Sequence, residues 1–196
     1  DCYAGVDLAA TSDLTAVAYL VVQDGTYYFK THYYLPESAL KDKADKELYK
    51  YWKQQGYLTV TSGNVTDYDY ITADMLRYAD VVNIQSVGYD KYNATQWAID
   101  STEQGLPLEE YPQTLGNFNM PTRELERLIL SGKAVIDNNE INRYCFRNVT
   151  LKSDYNGNVK PNKAVDKKKI DGTIAMIQAL GMYLRNPRFS NEIITI

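Results

Sequence analysis

The sequence predicts an α/β protein: a mixed β-sheet, built from a three-strand antiparallel meander plus parallel strands, flanked by helices. Three observations carry this. Strand-like stretches open the chain in succession, with Asp24-Gly25 as a two-residue turn between the second and third. Helical and strand-like stretches then alternate, the pattern of a sheet with helices packed on it. An apolar helical stretch closes the chain. At 196 residues the length suits one domain, 1–196, with a sizeable core.

In order, residues 3–8 read as a buried strand, 9–13 as a turn, 14–22 as a second strand and 26–35 as a third. Pro36-Glu37 starts a helix whose charge patterning runs to Gln55 and stops at Gly56. Residues 67–82 read as a second helix with Asp67 as N-cap. Ile84 to Asp90 is the fourth strand, 93–103 a helix ending at Gly105, and 108–113 a short strand. Pro121 precedes an amphipathic helix over 122–130, stopped by Gly132, and 139–147 is a short helix. Asn156-Gly157 between two strand-like arms signals a hairpin over 149–160. The last helix runs from about Asp166 to Arg185.

Composition narrows the function classes. No apolar stretch is long enough to span a membrane, and no signal peptide opens the chain. Cys2 and Cys145 lack metal-ligand spacing and read as free thiols in a reducing compartment. A net charge of −4 argues against holding nucleic acid by bulk attraction, so any such contact needs a local basic patch or cations that offset the acids. The 18 tyrosines read as amphipathic packing residues, and Trp52 and Trp97 as core. The lone His32 sits in a strand and reads as structural, which leaves a Ser-His-Asp or histidine–zinc chemistry without support. No phosphate loop of the G-x-x-x-x-G-K-[ST] type occurs. The abrupt start at Asp1-Cys2-Tyr3 reads as a domain cut from a longer protein whose N-terminal neighbour is missing.

Three aspartates stand out. Asp7 ends the apolar run from Tyr3, Asp90 ends Val87-Gly88-Tyr89, and Asp171 opens an apolar helical stretch. A carboxylate at the end of an apolar strand is costly unless something there requires it. If the fourth strand lies parallel beside the first, Asp7 and Asp90 become neighbours in the crevice where such sheets bind ligands. The last helix then adds Asp171. Gathered carboxylates repel without cations, and hard divalent ions take oxygen ligands. The expected cofactors are two Mg²⁺ or Mn²⁺ ions, about 3.5–4 Å apart in sites of this kind. Lys167, Lys168 and Lys169 are read at the start of the last helix, where positive charge opposes the helix dipole, so a phosphate contact is credible for at least one. Lys160 and Lys163 beside the hairpin would likewise suit a DNA backbone. Asp67-Tyr68-Asp69 reads as a helix cap, and Tyr92-Asn93 as the start of the following helix.

Five motifs follow one another along the chain: Gly5-Val6-Asp7-Leu8 through Asp13-Leu14-Thr15-Ala16; Tyr89-Asp90-Lys91-Tyr92-Asn93-Ala94-Thr95; Met120-Pro121-Thr122-Arg123-Glu124-Leu125; Asn156-Gly157 through Lys163; and Lys168-Lys169-Ile170-Asp171-Gly172-Thr173. In this order they resemble the ribonuclease-H-like superfamily, and within it the C-terminal nuclease domain of tailed-bacteriophage terminase large subunits. The resemblance implies an endonuclease that cuts concatemeric double-stranded viral DNA during packaging. It makes Asp7, Asp90 and Asp171 catalytic metal ligands and places Asp13 near the metals as an auxiliary ligand. One ion would activate water for in-line attack and the other would stabilise the departing 3′ oxygen. The implied partners are double-stranded DNA, an N-terminal ATPase domain in the full protein, the portal protein and the small terminase subunit, in the cytoplasm of the bacterial host. Translocation is not implied for this chain, which lacks the ATPase. Little cleavage specificity is expected, because no base-reading element is evident. Two alternatives compete. A junction resolvase would require a branched substrate. A non-catalytic docking module of a packaging motor would show no cutting that depends on Asp7.

Overall fold

Strand β1 (Cys2–Asp7) pairs antiparallel with β2 (Thr15–Gln23), and β2 with β3 (Thr26–Pro36), completing the expected meander. The computed structural model describes residues 1–9, 13–42, 45–92, 94–165 and 168–185. Asp24 (φ 50°) and Gly25 (φ 72°) are both left-handed, the two-residue turn whose twist matches that of the flanking strands. After β3 come two short helices, α1 (Ala39–Asp42) and α2 (Lys46–Gln54), where the charge pattern suggested one. Helix α2 buries Tyr49 and Trp52.

The chain continues through β4 (Thr59–Thr61), α3 (Tyr68–Ala79), β5 (Ile84–Tyr89), α4 (Thr95–Glu103) and β6 (Leu108–Glu110). Asp67 caps α3 as expected, accepting from the Tyr70 N–H at 2.9 Å. Helix α5 (Leu115–Leu130), β7 (Ala134–Ile136) and α6 (Glu140–Arg147) follow. The hairpin β8 (Val149–Ser153) and β9 (Val159–Lys163) leads to α7 (Asp171–Arg185). The main sheet runs β4-β3-β2-β1-β5-β6, with β7 also on β3. Strands β4 and β7 were not expected. At three residues each, they are too short to show a period of two.

Helix α5 begins at Leu115, seven residues before the expected start, and carries Pro121 inside it. Proline lacks the N–H that would bond the carbonyl four residues back. That carbonyl, on Asn117, accepts instead from the Tyr111 hydroxyl at 2.7 Å, so the helix runs on. Thr114 caps the new start through the Asn117 N–H.

Both faces of the sheet are covered. Along β2, Ala16, Ala18 and Leu20 join a core with α5 and α7, while Val17 and Tyr19 join a second core with α3 and α4. This alternation is the period-two rule for strands. Helix α7 is buried almost all round, from Asp171 to Met182. It lies so close to the sheet that a Cβ at Gly5 would run into the backbone of Ala175 and Ala179, and one at Gly88 would stand 2.8 Å from Met182 Cγ. Trp52, Trp97 and many of the tyrosines are buried, as their reading as packing residues required. Cys2 and Cys145 are buried free thiols. No helix among the described residues is long and apolar enough to cross a membrane.

Candidate active site

The same two glycines position two of the aspartates. Gly5 and Gly88 face α7, and the acids follow two residues later: Asp7 as the last residue of β1 and Asp90 as the first residue beyond β5. Strands β1 and β5 are parallel neighbours with Val6 opposite Tyr89, so Asp7 and Asp90 leave the sheet side by side. Asp171 is the first residue of α7 and comes to this end on the α7 face. Gly172 makes the approach possible, because the Tyr33 side chain fills the space where its Cβ would stand.

The carboxylates feel one another. Asp7 is held well above the ordinary carboxylate range, first by desolvation and then by repulsion from Asp171, with a smaller push from Asp90. A hydrogen bond from Gln113 and the nearby Lys163 charge work the other way. Asp171 is 8% exposed, and its raised pKa comes chiefly from burial, offset in part by Lys163 and Lys169. Its Oδ2 is buried with no hydrogen-bond partner among the described residues. Asp90 Oδ1 accepts from the Tyr92 N–H at 2.9 Å, and its Oδ2 from the Gln113 N–H at 2.8 Å.

A hard divalent cation fits this donor set. All three groups are carboxylates, one oxygen is an orphaned buried acceptor, and the repulsion among them is what a cation would relieve. Among the described residues, no three acidic, histidine or cysteine side chains already stand at the spacing of a closed metal site.

The remaining expected site residues are arranged less simply. Asp13 forms an ion pair with Lys169, whose side chain is only 10% exposed. A ligand role for Asp13 would require exchanging that ammonium for a cation, and Lys169 does not face solvent as a free phosphate contact. Lys160 Nζ donates to the Gln113 carbonyl at 3.1 Å. Lys163 stands near both Asp7 and Asp171. Lys168 lies 5.7 Å from the Tyr144 ring centre. Lys167 and Asn93 fall outside the described residues. Lys168 and Lys169 precede the first turn of α7 rather than forming it, so the helix dipole weighs on them less than the sequence suggested. His32 is remote, on the α3 face of the sheet, where Asp74 Oδ2 lies 3.1 Å from its Nδ1 and Tyr19 and Tyr78 flank its ring.

Gln113 was the missed residue. The sequence placed it only as the last residue of a strand. Its signal lay in topology: β6 pairs parallel with β5 up to Tyr89 and Glu110, so the chain leaving β6 passes the Asp90 end of the sheet, where Gln113 bonds Asp90 and Asp7.

The raised acids set a pH dependence. Folded Asp7 and Asp171 bind protons more tightly than the unfolded chain, whose carboxylates release them near pH 4, at about the ordinary value. Their contribution to metal-free stability is thus fully present below that pH and lost as pH rises through the raised values. Asp7→Asn should therefore melt like the parent at about pH 4 and gain on it steadily toward neutral pH. Equal melting curves at every pH would contradict this.

A mixed sheet with this meander, a parallel extension from β1 and acids at the ends of the two central strands defines the ribonuclease-H-like class of α/β fold. The family model described as terminase large subunit, endonuclease domain, matches residues 1–186, and the chain belongs to that family. It is 29% identical to the terminase large subunit of Enterobacteria phage HK97, over 91% of this chain and 36% of that one. It is 31% identical to protein YmfN of Escherichia coli strain K12, over 98% of this chain and 46% of that one. The chain thus spans less than half the length of either relative. The crystal structure of the HK97 large terminase matches with a TM-score of 0.84, over 93% of this chain and 39% of that one, at 29% identity. The large terminase nuclease of thermophilic phage G20c, solved with bound magnesium, shares the fold at a TM-score of 0.61 and 13% identity, over 91% of this chain and 79% of that one.

Proposed function

We propose that this chain, 1–196, is a single nuclease domain of a phage or prophage packaging terminase, a divalent-metal-dependent endonuclease acting on double-stranded DNA. The observation that carries the reading is the gathering of Asp7, Asp90 and Asp171 at one end of the sheet, with the pKa values of Asp7 and Asp171 both raised by burial and that of Asp7 raised further by the Asp171 charge. The G20c nuclease, of the same fold, has been solved with magnesium and with cobalt, which supports a hard divalent cation here.

Asp7, Asp90 and Asp171 would hold two Mg²⁺ or Mn²⁺ ions, with Asp13 as an auxiliary ligand. When bound, the ions supply an activated water and stabilise the departing 3′ oxygen of the phosphodiester. The chain's own residues bind and orient. The three carboxylates would set where cations sit, Gln113 bonds two of them, and Lys163, whose charge acts on Asp7 and Asp171, would offer positive charge to a bound phosphate. By family, the full protein would add an N-terminal ATPase domain and work with a portal protein and a small terminase subunit in the host cytoplasm.

The test is cutting of supercoiled plasmid by the purified chain in Mn²⁺ or Mg²⁺. Nicked and linear DNA should appear, vanish on chelation, and be absent with Asp171→Asn. Cutting that persists in chelator, or that requires branched DNA, would reject the reading.

Binding to DNA should rest on few charges, because the chain is acidic overall. Among the described residues, Lys160, Lys163 and Lys168 remain the candidates, with Lys169 engaged by Asp13; Lys167 stays a candidate outside them. Replacing Lys163 and Lys168 with alanine should weaken binding and flatten its log–log salt dependence by about one unit for each phosphate no longer neutralised. Unchanged affinity and slope would move the DNA path elsewhere.

A further inference from the structure

Gln113 stands between two of the three carboxylates and touches both. Its side-chain Nε2 donates to Asp7 Oδ1 at 2.9 Å, and its backbone N–H donates to Asp90 Oδ2 at 2.8 Å. Its carbonyl accepts from Lys160 Nζ, so one residue joins the β8–β9 hairpin to the acid cluster. The hairpin is itself pinned to α5, where Asn119 Oδ1 accepts from the Val159 N–H at 3.0 Å and Arg123 donates to the Gly157 carbonyl.

The main chain on either side of Gln113 is fixed. Before it, the Tyr111 N–H donates to the Tyr89 carbonyl at 2.6 Å, and the Tyr111 hydroxyl bonds the carbonyl left free by Pro121. After it, the Thr114 N–H donates to the Pro112 carbonyl at 2.8 Å, and Thr114 caps α5. A side chain launched from so constrained a backbone holds a partner with little further loss of freedom.

The amide is also the right chemistry. An ionised carboxylate can only accept, and it has about four lone-pair sites, so one bond from Gln113 leaves Asp7 free to bind elsewhere. A lysine or arginine at this place would neutralise the cluster permanently. A neutral donor steadies Asp7 without displacing a cation.

We propose that Gln113 is a positioning residue of the site: its amide sets the Asp7 carboxylate while its main-chain N–H sets Asp90, so that both acids face the cation position. The proposal rests on the reading of Asp7, Asp90 and Asp171 as metal ligands. Its two hydrogen bonds are separable, because only one comes from the side chain. Gln113→Met keeps the length and the bond to Asp90 and removes the donor to Asp7.

The experiment is thermal melting of the parent, Gln113→Met and Asp171→Asn against graded MnCl₂, without DNA. Stabilisation by a ligand reports its affinity for the folded state. Gln113→Met should melt near the parent without metal and need about 10–100-fold more Mn²⁺ for the same stabilisation, as when outer-shell partners of metal ligands are removed. Plasmid cutting should fall at low Mn²⁺ and recover at saturating Mn²⁺. A merely structural role would instead lower the metal-free melting temperature and leave the Mn²⁺ midpoint in place. Should Gln113→Met melt early, Gln113→Ala carries the same test, since it cannot overfill the space. A parental Mn²⁺ midpoint in the glutamine variant, with the response lost in Asp171→Asn, would overturn the role of Gln113 and spare the metal site. If the parent does not respond to Mn²⁺, or Asp171→Asn responds as the parent does, the metal-site reading falls and this inference with it.

Discussion

Asp7→Asn should reduce Mn²⁺-dependent plasmid cutting to background, a loss on the order of 10²–10³-fold or more given what single charge-stabilising groups are worth in active sites. Asparagine keeps the shape and the hydrogen-bonding capacity toward Gln113 but removes the charge. Removing that charge also relieves the repulsion from Asp171 and Asp90 that lifts Asp7 above the ordinary carboxylate range. The same variant should therefore be at least as stable as the parent without metal at neutral pH. Lost activity with equal or higher stability separates a functional acid from a structural one. A variant that cut at the parental rate would reject the assignment of Asp7.

Gly5→Ala should be among the most damaging single changes to stability. The added Cβ meets helix backbone at Ala175 and Ala179, which cannot rotate aside as a flexible side chain could. Overpacking typically costs about 1–3 kcal/mol, and a clash with backbone belongs at or above the upper end. For a protein of this size about 3 kcal/mol corresponds to a fall of roughly 6–12 °C in melting temperature. Because α7 carries Asp171, displacing it would also open the acid cluster. Gly116 on α5 is the matched control: a Cβ there meets nothing within 4 Å. Gly116→Ala should be neutral or stabilise by about 0.5–1 kcal/mol, since alanine suits a helix better than glycine. Parental melting in Gly5→Ala would contradict the close seat of α7.

The acid pair at the strand ends was legible from sequence because it depends on local pattern. An apolar run closed by an acid marks a strand end, and one topological assumption, that β5 lies parallel to β1, then brings Asp7 beside Asp90. The pairing of Val6 with Tyr89 is that assumption realised. Asp171 was legible for a similar reason, as an acid opening a helix too apolar to be anywhere but the core. What escaped the sequence depends on interactions between distant segments. Pro121 read as a helix start because nothing local shows that Tyr111 would satisfy the Asn117 carbonyl. Lys169 read as a charge available to DNA because its partner, Asp13, lies 156 residues away. Gln113 looked like a strand's last residue because its role exists only once β6 is laid against β5. The glycines show both sides of the divide. Gly157 (φ 78°) announced its turn through Asn156-Gly157, whereas Gly5 and Gly88, inside strands, gave no hint that α7 would press against them.

The most direct measurement is anomalous diffraction at the manganese edge from crystals of the chain soaked in MnCl₂, with Asp7→Asn crystals treated alike. Asp7, Asp90 and Asp171 should all contribute oxygens to the anomalous peaks, and those peaks should weaken or vanish in the variant. Manganese bound only elsewhere on the surface, or an Asp171 carboxylate turned away from Asp7 in a crystal that holds the ion, would contradict a shared metal site at the ends of β1 and β5.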